Sequence, residues 1–289
     1  MRVCKIKEQA DYREYMTNEE LEMVEIELLL EGIYRYYGFD FRDYAPPFLK
    51  RRIWNRVRAE KVESISGLQE KILHDPSIMQ KLFEDFSINV TEMFRDPNFF
   101  LAFRKKVVPF LRTCPSVKIW HAGCSTGEEV YSMAILLHEE GLYEKTTIYA
   151  TDMNNGVLTY AQNGKFPLQK MQLYTKNYLA AGGKRAFSEY YTAKQTNAAF
   201  HSSLTKNVVF AEHNLATDRS FNEFHVIICR NVTIYFNKRL QNRVYHLFHE
   251  SLIQSGILGL GSKEGIKFTS IANSYKEVDP IEKLYRKIQ

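Results

Sequence analysis

The chain has 289 residues, enough for two domains of about 150 residues each and for a sizeable core. With 45% hydrophobic and 25% charged residues it has the composition of a soluble globular protein, which excludes a disordered chain, a collagen-like repeat and a disulfide scaffold. The formal net charge of +5 is mild, and no run of ~18 apolar residues is present to span a membrane.

The N-terminal sequence MRVCKIKEQADYREYMTNEE lacks an apolar core of the secretory type, so a cytoplasmic protein is expected. Cys4, Cys114, Cys124 and Cys229 show no C-x-x-C spacing, which points to reduced thiols and to no metal site. Thr17-Asn18-Glu19-Glu20 is a capping box ahead of an apolar run through Leu21, Val24, Leu28 and Leu29, in a stretch dense in glutamate. Pro46-Pro47 opens a second helix, in which Leu49, Ile53, Trp54 and Val57 fall on one arc and Arg51, Arg52, Arg56 and Arg58 on the other. An acidic helix followed by a basic one polarises the surface, and the basic part can attract an acidic partner. A short helix is expected after Ser64. Another follows Asp75-Pro76, with Asp as N-cap and Pro at the first helical position, and Asp96-Pro97 repeats that signal.

After Pro115 the pattern becomes α/β. Residues 117–122, 147–151, 208–211 and 224–229 read as strands, ILGLG as a last clear one, and helices lie between them. Such alternation predicts a parallel, doubly wound sheet. It breaks down over residues 184–207, where FSEYYTA and AAFHSSL, joined by KQTN, predict a small inserted antiparallel hairpin. The expected organisation is an N-terminal all-helical domain over 1–92, an α/β domain over 93–289 and the insert at 184–207.

The segment WHAGCSTGEE lies where a doubly wound fold binds its ligand, at the carboxyl end of the first strand. Gly123 and Gly127 allow a close turn, but the spacing is not the G-x-G-x-x-G of dinucleotide sites, and Glu128 and Glu129 would repel a pyrophosphate. They suit a cationic ligand, and S-adenosylmethionine (SAM) carries both an ammonium and a sulfonium. Alternatively, the two glutamates are first-turn residues favoured by the helix dipole. Asp152, at the end of the second strand, stands where an acidic side chain accepts hydrogen bonds from ribose hydroxyls. SINVTEMFRDP brings Asn89, Thr91 and Arg95 together, and CRNVTIYF brings Arg230, Asn231 and Tyr235 to the same strand-end edge. The plain reading of Arg95 is an ion pair with Asp96 or a neighbouring helix; that of Tyr235 is half-buried packing.

NVTEMFRDPNFF, IWHAGCSTGEEVYSMAILL, IYATDMNNGVLTYAQNG, HNLATD, FHVIICRNVTIYFNKRLQ and LGLGSKE occur in this order. Together they resemble the CheR-type chemotaxis receptor glutamate methyltransferases from about residue 20 to the C-terminus, and EGIYRYYGFDFRDYAPPFLKRRI resembles that family's helical domain. The resemblance implies a Rossmann-like SAM-dependent methyltransferase domain with an N-terminal all-helical domain and a small β insert. It implies SAM as cofactor, S-adenosylhomocysteine (SAH) as product and no metal. Its SAM contacts fall on Asn89, Thr91, Arg95, Gly123, Glu129, Asp152, Asn214, Leu215, Arg230 and Asn231, with Arg95 and Tyr235 beside the transferred methyl. Arg51, Arg52, Arg56 and Arg58 match the region that engages the helical bundle of the receptors.

Three departures stand out. LIQSG replaces the usual proline- and glycine-bearing turn before the last motif. Met93 takes a position commonly held by Phe. The insert lacks the glycines that accompany docking of a receptor's C-terminal peptide, and its length leaves little room for a third full strand. Recognition without a tethering peptide is therefore expected. The implied reaction is esterification of a glutamate side chain by a monomeric enzyme that neither binds nucleic acid nor inserts in the membrane. A competing reading is an inactive protein that binds SAM or SAH and docks on receptors.

Overall fold

The computed structural model describes residues 17–87 and 89–289, so the N-terminal reading and Cys4 lie outside the described residues. The chain divides after Phe86 into two compact units, which puts Asn89 and Thr91 in the second, ahead of the expected boundary at 92/93.

The first unit holds four helices, α1 (Asn18–Tyr37), α2 (Pro46–Ala59), α3 (Ile65–His74) and α4 (Pro76–Phe86). The Thr17 capping box forms: Glu20 N donates to Thr17 Oγ1 at 3.3 Å and Thr17 N to Glu20 Oε2 at 2.7 Å. The buried face of α1 differs from the expected run. Leu29, Leu30 and Ile33 are buried, whereas Leu21 and Leu28 are 52% and 55% exposed. In α2, Leu49, Ile53 and Val57 are buried as their spacing requires, while the Trp54 indole is half-buried and donates to Glu22 Oε1. Asp75 accepts from Ser77 N at 2.9 Å, which fits the expected start of α4.

The second unit opens with α5 (Pro97–Lys106) and α6 (Val108–Thr113). Strands β1 (Val117–Ala122) and β2 (Thr146–Asp152) alternate with α7 (Glu128–Glu139) and α8 (Asn155–Asn163). After β3 (Lys165–Pro167), α9 (Met171–Ala180), β4 (Tyr191–Lys194) and β5 (Asn197–Phe200) come β6 (Val208–Glu212), β7 (Phe224–Cys229), α10 (Lys238–Ser251), β8 (Leu252–Leu260), β9 (Tyr275–Asp279) and β10 (Leu284–Lys287). The main sheet has the order β6-β2-β1-β7-β8-β10-β9. Its first five strands are parallel, as expected, with Ile119 paired to Ile148 on one side and Val226 on the other. The sheet is nonetheless mixed, because β10 runs antiparallel to β8 and β9 antiparallel to β10.

The insert also needs correction. The hairpin β4–β5 forms, but β3, contributed from upstream of α9, pairs antiparallel with β5 and makes a three-stranded sheet of order β3-β5-β4. The third strand that residues 184–207 could not accommodate comes from outside them. The core of this unit is rich in rings: Phe94, Phe99, Phe100, Phe103, Tyr131 and Phe166 are all buried.

Candidate functional site

Reading outward from β1, strand order runs to β2 and β6 on one side and to β7 and β8 on the other. The reversal therefore lies between β1 and β7, and ligands of such sheets bind at the carboxyl edge there. The turn after β1 and the turn after β7 flank that point.

The first turn is drawn against β2: Gly123 N and Cys124 N donate to Thr151 O at 2.8 and 2.9 Å. Gly123 has φ +76°, and a Cβ there would stand 2.7 Å from Val232, so both conformation and space demand glycine. The Asp152 carboxylate accepts from Ser125 N at 2.9 Å and from Asn154 N at 3.0 Å. Burial raises this carboxyl above the ordinary aspartate value, against the opposing pull of the backbone amides of Ser125, Asn154 and Met153. Ser125 Oγ donates to Asn89 Oδ1 at 3.0 Å, which brings Asn89 onto the same turn. After β6, His213 N donates to Asp152 O, Asn214 closes its own turn by accepting from Ala216 N, and Leu215 is buried. Thr91 is half-buried nearby in sequence.

The two glutamates of STGEE part company. Glu128 turns inward, accepting from Thr126 Oγ1 at 2.6 Å and Tyr174 at 3.4 Å, and burial raises its carboxyl. It does not share the loop-side role expected of the pair. Glu129, in the first turn of α7, reaches β1 and the turn after β7: Oε1 is 2.9 Å from His121 Nδ1, and Oε2 accepts from Arg230 Nη1 at 2.9 Å. Burial pushes this carboxyl up, but His121 and Arg230 outweigh it and hold Glu129 below the ordinary glutamate value. Arg230, its side chain only 2% exposed, also donates to Asp96 Oδ2 at 2.7 Å and to Arg95 O at 3.1 Å, and lies 4.2 Å from the Phe99 ring centroid. Asp96–Arg230–Glu129–His121 is thus one continuous chain, buried at Arg230 and His121 and reaching the surface at Asp96. Arg230 Nε and His121 Nε2 are buried without a hydrogen-bond partner among the described residues.

This chain corrects two expectations. Asp96 pairs with Arg230, not with Arg95, and it is not a side-chain N-cap: its φ is +55° and its carboxylate makes no cap bond. Arg95 is half-buried, and its guanidinium donates to Val90 O at 3.0 Å; it has no carboxylate partner among the described residues. Asn231 has φ +61°, and Tyr235 sits half-buried on the short helical turn Thr233–Tyr235. His121 and Glu264, which binds the backbone of residues 231–233, were not singled out in the sequence, and Asp96 was singled out only as a helix cap and a partner for Arg95. Glu264 lay within the motif LGLGSKE, but nothing local in that motif reveals its partner.

On the helical unit, Arg51 and Arg58 are exposed and Arg52 half-buried. Arg56 is committed within the unit to Asp85 at 2.8 Å, Glu60 at 3.2 Å and Lys81 O at 3.1 Å. No helix of the described residues is long and apolar enough to cross a membrane, and no group of three or more His, Cys, Asp or Glu among them is arranged to hold a metal.

The donor set fits SAM: a strand-end carboxylate suits ribose hydroxyls, and Glu129, ionised and with lone pairs beyond its two bonds, suits a cationic end. A glycine turn and a strand-end aspartate at the switch point of this sheet fit a SAM-dependent methyltransferase, the class to which the family match assigns the second unit. Residues 89–279 match the family described as "CheR methyltransferase, SAM binding domain", and residues 24–87 match "CheR methyltransferase, all-alpha domain". The chain belongs to the CheR methyltransferase family. A Pseudomonas putida relative bearing the name Cher3 is 52% identical over 94% of this chain and 100% of its own length. A chemotaxis protein methyltransferase of Listeria monocytogenes is 29% identical over 80% of this chain and 86% of its own length. Chemotaxis protein methyltransferase 2 of Pseudomonas aeruginosa is 29% identical over 83% and 86%.

Proposed function

We infer that the protein is a protein-glutamate O-methyltransferase that esterifies glutamate side chains on the helical bundle of chemotaxis receptors. In this reading Asn89, Thr91, Gly123, Glu129, Asp152, Asn214, Leu215, Arg230 and Asn231 hold SAM, and Arg95 and Tyr235 border the reacting atoms. When bound, SAM supplies a methyl group on a sulfonium, which a carboxylate oxygen takes by in-line displacement with release of SAH. A glutamate carboxyl, with an ordinary pKa of about 4.3, is already ionised at neutral pH, so the chain need supply no general base. Its task is alignment and exclusion of water, which can lower a barrier by about 7–11 kcal/mol.

The observation that carries the reading is the state of Arg95. Asp96, its neighbour in sequence, is taken by Arg230, and the Arg95 guanidinium keeps donors beyond its bond to Val90 O. An arginine in this position can hold one oxygen of an incoming carboxylate through its fork of donors and leave the other oxygen to react. Too tight a grip would stabilise the ground state and slow transfer. Receptor docking falls to Arg51, Arg52 and Arg58 of α2, with Arg56 fixing that face. It requires no tethering peptide, a reading that rests on the lack of glycine over residues 185–205, since the third strand is present after all. The enzyme acts as a monomer. The test is transfer of radiolabelled methyl from SAM to membranes carrying the organism's receptors. Base-labile label on the receptor supports the reading, and label no greater than with Arg95→Ala overturns it.

A further inference from the structure

We propose that Glu264 is a positioning residue for the loop after β7: one carboxylate holds the backbone of residues 231–233 and so sets where Arg230, Asn231 and Tyr235 stand. The inference rests on the reading above that this loop borders SAM.

Glu264 follows β8 and is 7% exposed. Its Oε2 accepts from Asn231 N at 2.9 Å and Gly261 N at 2.7 Å. Its Oε1 accepts from Val232 N at 3.0 Å, Thr233 N at 2.8 Å and Thr233 Oγ1 at 2.8 Å. Five donors fill the roughly four lone-pair sites that a carboxylate offers, and three of them are consecutive backbone amides converging on one anion. Amides converge this way only when the chain is bent, and Asn231 provides the bend with its left-handed backbone, φ +61°. A non-glycine residue keeps that conformation where its surroundings impose it.

The approach is close enough that Gly261 is needed as well. A Cβ there would stand 2.6 Å from Glu264 Oε2 and 2.9 Å from Asn231 N. Thr233 Oγ1 is also 3.0 Å from the Tyr245 hydroxyl, which ties the clamp to α10. The loop is therefore gripped at both ends. At its start the Arg230 side chain is held by Glu129 and Asp96, and beyond it the backbone is held by Glu264. With both ends fixed, Tyr235 on the following turn has little freedom to shift.

Glu264→Gln tests this, because the substitution keeps the shape and puts an NH2 donor against amide donors. SAH affinity is measured by calorimetry on the full chain, well below the melting temperature of each variant, so that every molecule counted is folded. A side chain that only stabilised the fold would lower the melting temperature and leave that affinity alone. We expect Glu264→Gln to weaken SAH binding about tenfold, and Thr233→Val, which removes one of the five donors, about threefold. An affinity within twofold of the native chain for folded Glu264→Gln overturns the proposal. If that variant does not fold, an unchanged affinity for Thr233→Val overturns it. Asn231→Ala separates the two readings. Unchanged affinity there defeats the placement of the loop at SAM, and this inference with it. Weakened affinity there beside an intact Glu264→Gln defeats this inference alone.

Discussion

Replacing Asp152 by alanine removes one acceptor with two uses. Its carboxylate receives Ser125 N at 2.9 Å and Asn154 N at 3.0 Å, so it holds the glycine turn to the end of β2. In the complex it is also assigned the ribose hydroxyls. A hydrogen bond to a charged group contributes about 1.5–3 kcal/mol, which for the ribose contact alone corresponds to a roughly 10- to 150-fold loss of SAH affinity. The turn loses less, because Gly123 N and Cys124 N still tie it to Thr151 O. A destabilisation of about 1–2 kcal/mol would lower the melting temperature by roughly 2–8 °C in a unit of this size. Calorimetric titration with SAH and thermal melting separate the two effects. The carboxyl also gives a sign for pH. Burial raises it, so it takes up a proton at higher pH than a free aspartate, and the protonated form gives up an acceptor. SAH affinity should therefore fall as pH is lowered through that raised titration, binding there should release protons, and Asp152→Ala should lack this limb. An affinity for Asp152→Ala equal to that of the native chain would take Asp152 out of the site.

Arg95→Ala should reduce methyl transfer at least tenfold while costing under about 1 kcal/mol of stability, since among the described residues its guanidinium bonds Val90 O alone. A melting point many degrees lower, with activity per folded molecule retained, would make Arg95 structural. Reversing Arg51 and Arg58 to glutamate should raise the apparent KM for receptor and reduce its salt dependence, with SAH affinity constant; parallel loss of both would mean that α2 supports the cofactor pocket. Arg56→Glu should instead lower the melting temperature, because Asp85 and Glu60 lose their cation. A peptide copied from a receptor C-terminus should show no saturable micromolar binding by calorimetry, and binding abolished by changes within residues 185–205 would refute peptide-free recognition.

The parallel strands and their helices were legible from local patterns, as in β1 and β2, where a run of six or seven residues is ended by Gly123 or Asp152 and followed by a period near 3.6. YKEVD and LYRK escaped because they are short, half polar and paired antiparallel with each other and with β8, so no alternation marks them. β3 escaped because three residues, one of them Pro167, give no strand signal; only its partner Ala198 reveals it. The same contrast holds at the site. Gly123, Glu129 and Asp152 could be picked out as candidates because each sits where one element hands over to the next. Asp96-Pro97 carried a helix-cap signal, yet a buried arginine 134 residues away claimed the carboxylate, since an unpaired buried charge costs more than an unmade cap. Glu264 and Asn231 are 33 residues apart, and no local rule links an acid after one strand to the amides after another.

The position of β1 between β2 and β7 has a consequence for synthesis. Its register with β2 joins residues close in sequence, such as Ile119 and Ile148, whereas its other edge waits for Val226. At about 5–20 residues per second, the ribosome takes roughly 5–20 s to extend from the end of β1 to the start of β7. For most of that interval, once Asp152 has been made, the nascent chain carries the glycine turn and Asp152 while one edge of a nearly all-buried strand lacks its neighbour. Asp96, already made, is still without Arg230. Chaperone protection would matter most in this window, and a chain stopped before Phe224 would keep the signature turn but lack the arginine that joins Asp96 to Glu129.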